Sequence, residues 1–189
     1  MVIANARQDE EDALIQVAKL MLLSARTAPK AAGVDDIQTL LVRGKEKDAI
    51  TAEMLKIAEE RPNAAAGFKR DAKNVQDSTA VVLVGVQGTK KLGIDCSGCG
   101  YKNCADYEKA PKQLGQDFIG PNCVFKLLDL GIALGSAVKV ASVLNVDNRI
   151  MYRIGAAARR LKHMPQSSII MGIPISAEGK SIYFDRKQL

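Results

Sequence analysis

The spacing of the cysteines constrains this chain more than any other feature. Its four cysteines are Cys96, Cys99, Cys104 and Cys123, arranged C-x2-C-x4-C-x18-C, and three of them fall inside nine residues. Four thiolates gathered this way have the ligand count of one iron–sulfur cluster or one structural zinc. Gly98 and Gly100 stand between the ligands and supply backbone conformations that residues with a Cβ avoid. Asn103 tolerates such turns as well. Zinc sites usually repeat a short C-x2-C pair, and here the second pair is missing. Disulfide frameworks suit small secreted chains, whereas this one has 189 residues and a first segment, Met1–Arg7, too short and too soon charged for a secretory signal. Ligand type and spacing thus favour iron–sulfur over zinc. Four thiolates with no histidine near them favour one [4Fe-4S] cluster, with [2Fe-2S] sharing the same ligand count.

The rest of the chain has to hold that loop. Asp9–Arg26 reads as an amphipathic helix, with Leu14, Val17, Met21 and Leu22 at helical spacing and an acidic first turn. Thr27-Ala-Pro29 stops it, because a residue before proline avoids the helical region. Gly33–Asp36 is a turn, Ile37–Val42 a strand, and Arg43–Asp48 a charged loop. Helices are predicted over Ala49–Arg61 and Ala64–Val75, and a strongly buried strand over Ala80–Val86. Gly88–Asn122 breaks this pattern. It is rich in Gly, Lys and Pro and carries three cysteines, so it reads as a module of residues 88–122 inserted into a scaffold of residues 1–87 and 123–189. Cys123 opens the next helix and would tie the insert to the scaffold.

Val124–Leu144 is apolar on all sides, which marks a buried helix. Gly131 and Gly135, with Ala133 and Ala137, would let another helix approach closely, and a homodimer with this helix near its interface follows. Lys126, Asp129 and Lys139 argue against a membrane span. A helix over Arg149–Leu161, a strand over Ser167–Pro174 and a last short strand over Ile182–Phe184 complete the chain. Strands separated by helices or by the insert make an α+β layer architecture.

Composition excludes more than it selects. The net charge of +6 comes from Lys and Arg interleaved with Asp and Glu, without the basic and aromatic pattern of a nucleic-acid module. A cytoplasmic protein is expected. His163, the single histidine, sits among Arg160, Lys162 and Met164, where capping a helix end explains it. Gly85-Val-Gln-Gly88 follows a strand but lacks the phosphate-loop pattern. Lys90, Lys91 and Lys102 flank the cysteines; they serve solubility, or raise a cluster's potential and attract an acidic redox partner. Tyr101 and Tyr107 would shield a cluster from water.

Cys96-Ser-Gly-Cys-Gly-Tyr-Lys-Asn-Cys104, with a later cysteine, resembles the small four-cysteine [4Fe-4S] domain of bacterial electron-transfer and corrinoid/acetyl-CoA pathway proteins. Ala25–Ala31, Gly131–Ala137 and Gly172–Ser176 carry a resemblance to uncharacterised bacterial and archaeal ferredoxin domain-containing proteins. The order of elements resembles the nitroreductase-like flavoprotein fold. That likeness implies layered helices and sheet, a dimer, and FMN near Ala28-Pro29-Lys30-Ala31, with Arg26, Pro29, Lys30, Lys180 and Arg186 as candidate flavin-binding residues. The chain departs from that pattern: an arginine run near the N-terminus that grips the flavin phosphate is absent. Two functions follow as expectations. One is a redox protein, or a flavin/iron–sulfur oxidoreductase, in which a [4Fe-4S] cluster passes electrons, to a flavin in the same dimer where one is held. The other is a non-enzymatic binding or regulatory protein whose cluster or zinc is structural.

Overall fold

The computed structural model describes residues 6–184, so the Arg186 candidate lies outside the described residues. A four-stranded antiparallel sheet, its strands in the order Ile37–Val42, Ala80–Val86, Ile169–Ser176 and Asp147–Asn148, lies between two helical layers. The elements in chain order begin with helix α1 (Ala6–Thr27), strand β1 (Ile37–Val42), helices α2 (Lys45–Glu60) and α3 (Ala65–Gln76), and strand β2 (Ala80–Val86). Helix α4 (Cys104–Lys109) and a small hairpin of β3 (Gln113–Leu114) and β4 (Ile119–Gly120) follow. Helix α5 (Val124–Val143), strand β5 (Asp147–Asn148), helix α6 (Tyr152–Arg160) and strand β6 (Ile169–Ser176) close the described chain.

Strand β2 explains the layering. All seven of its residues are buried, because side chains alternate between two covered faces. Ala80, Val82, Val84 and Val86 meet α1 and α5 through Leu14, Met21, Leu130 and Ala137. Val81 and Leu83 meet α2, α3 and α6 through Ile50, Met54, Phe68 and Ile154. A strand covered on both sides reads as a continuous apolar run rather than an alternating one. Helix α6 lies very close to β6: a Cβ placed on Gly155 would stand 1.7 Å from the carbonyl oxygen of Ile170. Only glycine permits that approach.

Three elements differ from the sequence expectation. Arg43–Asp48 is mostly the first turn of α2, not a loop. Gly44 enters it at φ +55°, and the buried Lys47 donates to the carbonyls of Gln76 and Ser78 at 2.8 Å each. It thereby satisfies carbonyls at and just beyond the end of α3. Ile182–Phe184 forms no strand; Tyr183 is instead anchored by its hydroxyl, 2.9 Å from Ser78 Oγ, and by its carbonyl, which accepts from Arg149 at 3.1 Å. Helix α5 is buried along one side only, with Leu128, Gly131, Ile132 and Gly135 exposed. No described helix is long and apolar enough to cross a membrane.

Candidate metal centre

The cysteine loop leaves the sheet at the end of β2 and returns at the start of α5, and its two ends are knotted together. The carbonyl oxygen of Gly88 accepts the backbone N–H of Cys123 at 2.7 Å and lies 3.0 Å from the hydroxyl of Tyr107. That hydroxyl is also 3.2 Å from the carbonyl of Pro121. The N–H of Gly88 donates to Ser168 Oγ at 2.9 Å, and Ser168 Oγ donates to Asn122 Oδ1 at 2.6 Å. One buried tyrosine and one serine of β6's approach thus fix both ends of the loop to the scaffold. Farther out, Asp117 pairs with Arg61 at 2.6 Å, and the N–H of Ile119 donates to the Ser168 carbonyl at 3.1 Å.

Inside the loop, short-range hydrogen bonds set where each cysteine stands. Cys104 opens α4, capped by Asn103, whose Oδ1 accepts the Asp106 N–H at 2.8 Å. Asp95 Oδ1 accepts the Cys104 N–H at 2.6 Å, drawing the segment before Cys96 onto the same helix start. Ser97 at φ +58° and Gly100 at φ +86° turn the chain between them, closed by Gly100 N–H to the Ser97 carbonyl at 2.9 Å. The Cβ direction of Gly98 points at Val124 Cγ1, 2.7 Å away, and stands 3.6 Å from Cys96 Sγ. Cys96 therefore approaches the first turn of α5, where Cys123 is the N-cap. All four cysteines are free; Cys96 is exposed, Cys99 and Cys104 are half-buried, and Cys123 is buried.

Tyr107 is the inner wall of this arrangement, 1% exposed. Burial, reinforced by Cys123 and then Cys99, pushes its phenol well above the ordinary range. Tyr101 meets it edge-on, ring centroids 5.6 Å apart. Lys112 lies over its ring, Nζ 3.6 Å from the centroid, and donates to its carbonyl at 2.6 Å. Burial lowers the Lys112 ammonium's pKa, and the neighbouring Cys99 opposes that shift. Of the flanking lysines, Lys91 pairs with Glu108 at 2.6 Å and Lys90 with Asp36 at 2.9 Å.

Among the described residues, no three Cys, His, Asp or Glu side chains stand close enough together to hold a metal ion. The chemistry of the donor set is nonetheless uniform: four free thiols, left-handed turns between the first three, and the fourth at a helix N-terminus, where a negative charge is favoured. These donors suit a four-thiolate centre, while the described conformation leaves them short of one coordination shell.

The flavin candidates among the described residues lie in two parts of the chain. Arg26, Pro29 and Lys30 stand together at the C-terminal end of α1. Arg26 pairs with Asp35 at 2.5 Å and donates to the Ile37 carbonyl at 2.7 Å. Lys30 donates to the carbonyls of Arg26 and Ala25 and lies 3.9 Å from Asp35. Burial works against the charge of Asp35, but Arg26 and the Ile37 N–H outweigh it and hold the carboxyl below its usual range. Lys180 follows β6 at the opposite end of the sheet, where Ala177 and Glu178 line a cleft with Arg7, Glu10 and Asp77. Strand β2 separates the two ends by about 20 Å.

Sequence reasoning missed the polar clamp under this region. Lys126, fully buried in α5, pairs with Asp36 at 2.7 Å and donates to the Val34 carbonyl at 3.3 Å. Asp129, one turn on, accepts the Ala31 N–H at 2.9 Å. Together they hold both ends of the turn of residues 31–34, in which Ala32 adopts φ +52°. Burial works against the charge of Asp36, yet hydrogen bonds from Lys126 and Lys90 keep its carboxyl below the usual range. The available signal was a Lys and an Asp three apart in an otherwise apolar run, since such residues are almost never fully buried unless paired.

Comparisons with known proteins bear on the family and the fold. A family model described as "Uncharacterized protein containing a ferredoxin domain (DUF2148)" matches residues 119–186, which include Cys123 of the four cysteines. A protein of Archaeoglobus fulgidus, described as uncharacterized, is 44% identical over 185 residues, 98% of each chain. Among solved structures, a nitroreductase of Saccharomyces cerevisiae superimposes with a TM-score of 0.58 at 12% identity, over 88% of this chain and 82% of that one. A nitroreductase with bound FMN from Desulfitobacterium hafniense gives 0.57 at 13% identity, over 87% and 78%. At such identities the likeness is one of fold: this chain has a nitroreductase-like fold.

Proposed function

Because the chain belongs to the family of uncharacterized proteins containing a ferredoxin domain, we propose that it is an iron–sulfur redox protein. Cys96, Cys99, Cys104 and Cys123 hold one [4Fe-4S] cluster at the junction of the loop and α5. Bound there, the cluster supplies one-electron transfer. The chain's own part is to place it. Gly88 ties Cys123 to the loop's origin, Tyr107 walls the inner side, and α5 gives the fourth ligand a rigid base. The observation that carries this reading is the shared carbonyl of Gly88, which joins the only ligand outside the loop to the tyrosine inside it.

A flavin in a homodimer completes the redox reading. Two observations support it. The fold is that of nitroreductases, of which the Desulfitobacterium hafniense protein has FMN bound. The Ala28–Ala31 segment also rests on Asp129 of α5, six residues or about 9 Å along the helix from Cys123, close enough for an electron to pass. Arg26 and Lys30 already have partners, so a flavin phosphate would compete with Asp35 for them. A second copy is the fitting cover for Leu20 and Leu23 of α1 and Leu128 and Ile132 of α5, each 45% exposed or more. A redox partner protein would supply or accept the electrons.

The structural-centre alternative has one observation in its favour: the Gly88 knot makes a centre here a staple between loop and scaffold. Absorption of anaerobically prepared protein, followed by titration with FMN, separates the cases. A broad band near 400 nm that bleaches on reduction supports the redox reading. Sharper flavin bands that appear on titration with FMN add the flavin. A band that dithionite leaves unchanged, or no band with stoichiometric zinc, assigns a structural role.

A further inference from the structure

Lys112 has a place in the loop that neither solubility nor pairing with a carboxylate explains. It follows Pro111 just past α4 and folds back, so that its Nζ caps the Tyr107 carbonyl at 2.6 Å and lies 3.6 Å from the centroid of the Tyr107 ring. No carboxylate stands within ion-pair distance of it among the described residues, unlike Lys90 and Lys91; Glu108, already paired with Lys91, acts on it only from farther off. The ring beneath it is 1% exposed and is fixed at its far end on Gly88 and Pro121, beside Cys123. A cation held over a buried ring is fixed in position, and a charge fixed near a low-dielectric site acts more strongly than one in water. Cys99 lies within electrostatic reach of both Lys112 and Tyr107.

We propose that Lys112 is a positioning residue of the four-cysteine centre: its ammonium, pinned over Tyr107, is the fixed positive charge that favours the more negative, reduced state of the cluster. This rests on the iron–sulfur reading above. Loss of the charge makes reduction harder, and the equilibrium constant for one-electron reduction falls about threefold to tenfold, a tenfold change being about 59 mV.

The test is a redox titration with dithionite of the full chain, reconstituted anaerobically with iron and sulfide, for wild type, Lys112→Met, Lys112→Gln, Lys112→Arg and Lys56→Met. Lys56 is exposed on α2, on the other face of the sheet, and its variant removes the same net charge. Iron and sulfide are measured on each sample first. Lower potentials in Lys112→Met and Lys112→Gln, with Lys112→Arg and Lys56→Met near wild type, support the proposal. Wild-type potentials in both charge-removing variants, with the cluster loaded, overturn it. So does failure of both to load, which makes Lys112 a structural cap. A wild-type protein that takes up no iron and sulfide overturns the iron–sulfur reading itself, and that result is visible before any potential is measured.

Discussion

The hydroxyl of Tyr107 and the backbone N–H of Cys123 converge on one acceptor, the carbonyl oxygen of Gly88, at 3.0 and 2.7 Å. This contact joins the inside of the cysteine loop, its first residue and its return to the scaffold. Tyr107→Phe keeps the ring and removes the hydroxyl. The Gly88 carbonyl keeps its bond from Cys123, so the expected cost is about 1 kcal/mol, read as a lower denaturation midpoint in urea. Tyr107→Ala also opens a buried cavity and should cost about 3–5 kcal/mol. Equal losses from the two variants would show that the hydroxyl, rather than the ring, carries the stabilisation.

Asp36 and Lys126 form a buried pair that breaks asymmetrically. Asp36→Asn leaves the fully buried Lys126 ammonium without its counter-ion, at a cost of about 3–5 kcal/mol. Asp36→Asn combined with Lys126→Met removes both charges and should recover much of that loss. The folded pKa of Asp36 is depressed. Its contribution is therefore present above the unfolded value of about 3.9 and is lost as pH falls through the folded one. Acid titration of wild type against the double variant, followed by circular dichroism, should show a shallower low-pH decline in the variant. An Asp36→Asn protein as stable as wild type would contradict the pairing.

Tyr183 sets a limit at the alkaline end. Burial pushes its phenol up to about 12, whereas an unfolded tyrosine titrates near 10. The folded state thus keeps a proton that the unfolded state releases. The stabilisation is full below about pH 10 and is lost as pH rises toward 12, with a slope of up to about 1.4 kcal/mol per pH unit. Tyr183→Phe should lower stability at neutral pH by about 1 kcal/mol through the lost bond to Ser78. It should also flatten the decline between pH 10 and 12, leaving the part due to Tyr107. An unchanged slope would mean that Tyr183 titrates normally.

Much of the scaffold was legible in the sequence, because its strands are defined by what covers them. Ile37–Val42 and Ala80–Val86 match their strands residue for residue, since continuous or β-branched apolar runs bounded by turns leave few other solutions. Helix α5 was legible in extent but not in burial: composition shows that Leu128 and Ile132 are apolar, not that a single chain leaves them uncovered. The start of α2 was hidden because Lys47 reads as a loop charge until α3's end supplies carbonyls for it. Of the candidate site, the spacing of the four cysteines marked the loop and the helix that carry them, while the described conformation leaves them short of one coordination shell. Asp36 was not, because its partner lies 90 positions away in sequence and only the fold brings them together. The flavin candidates came from likeness to nitroreductase-like flavoproteins, and likeness gave no sign that Arg26 already binds Asp35.

The outer sides of α1 and α5 predict a homodimer. A Cβ added at Gly131 or Gly135 would meet nothing within 4 Å in one chain, and Ile132 beside them is exposed. Light scattering of wild type at micromolar concentration should give twice the chain mass, and Ile132→Glu should give the chain mass with unchanged circular dichroism. A monomeric wild type, or a dimeric Ile132→Glu protein, would place the interface elsewhere.

On the proposed reading, four cysteines, one of them the N-cap of α5, hold a single iron–sulfur cluster. Iron and acid-labile sulfide, measured on anaerobically prepared wild type and on Cys123→Ser, decide it. The serine variant keeps the backbone bond to Gly88, so its helical circular dichroism should stay near wild type. The expected result is about four iron and four sulfide per wild-type chain and a loss of most of both in a folded Cys123→Ser. Stoichiometric zinc without sulfide in wild type, or full iron and sulfide in the variant, would rule out a cluster held by these four cysteines.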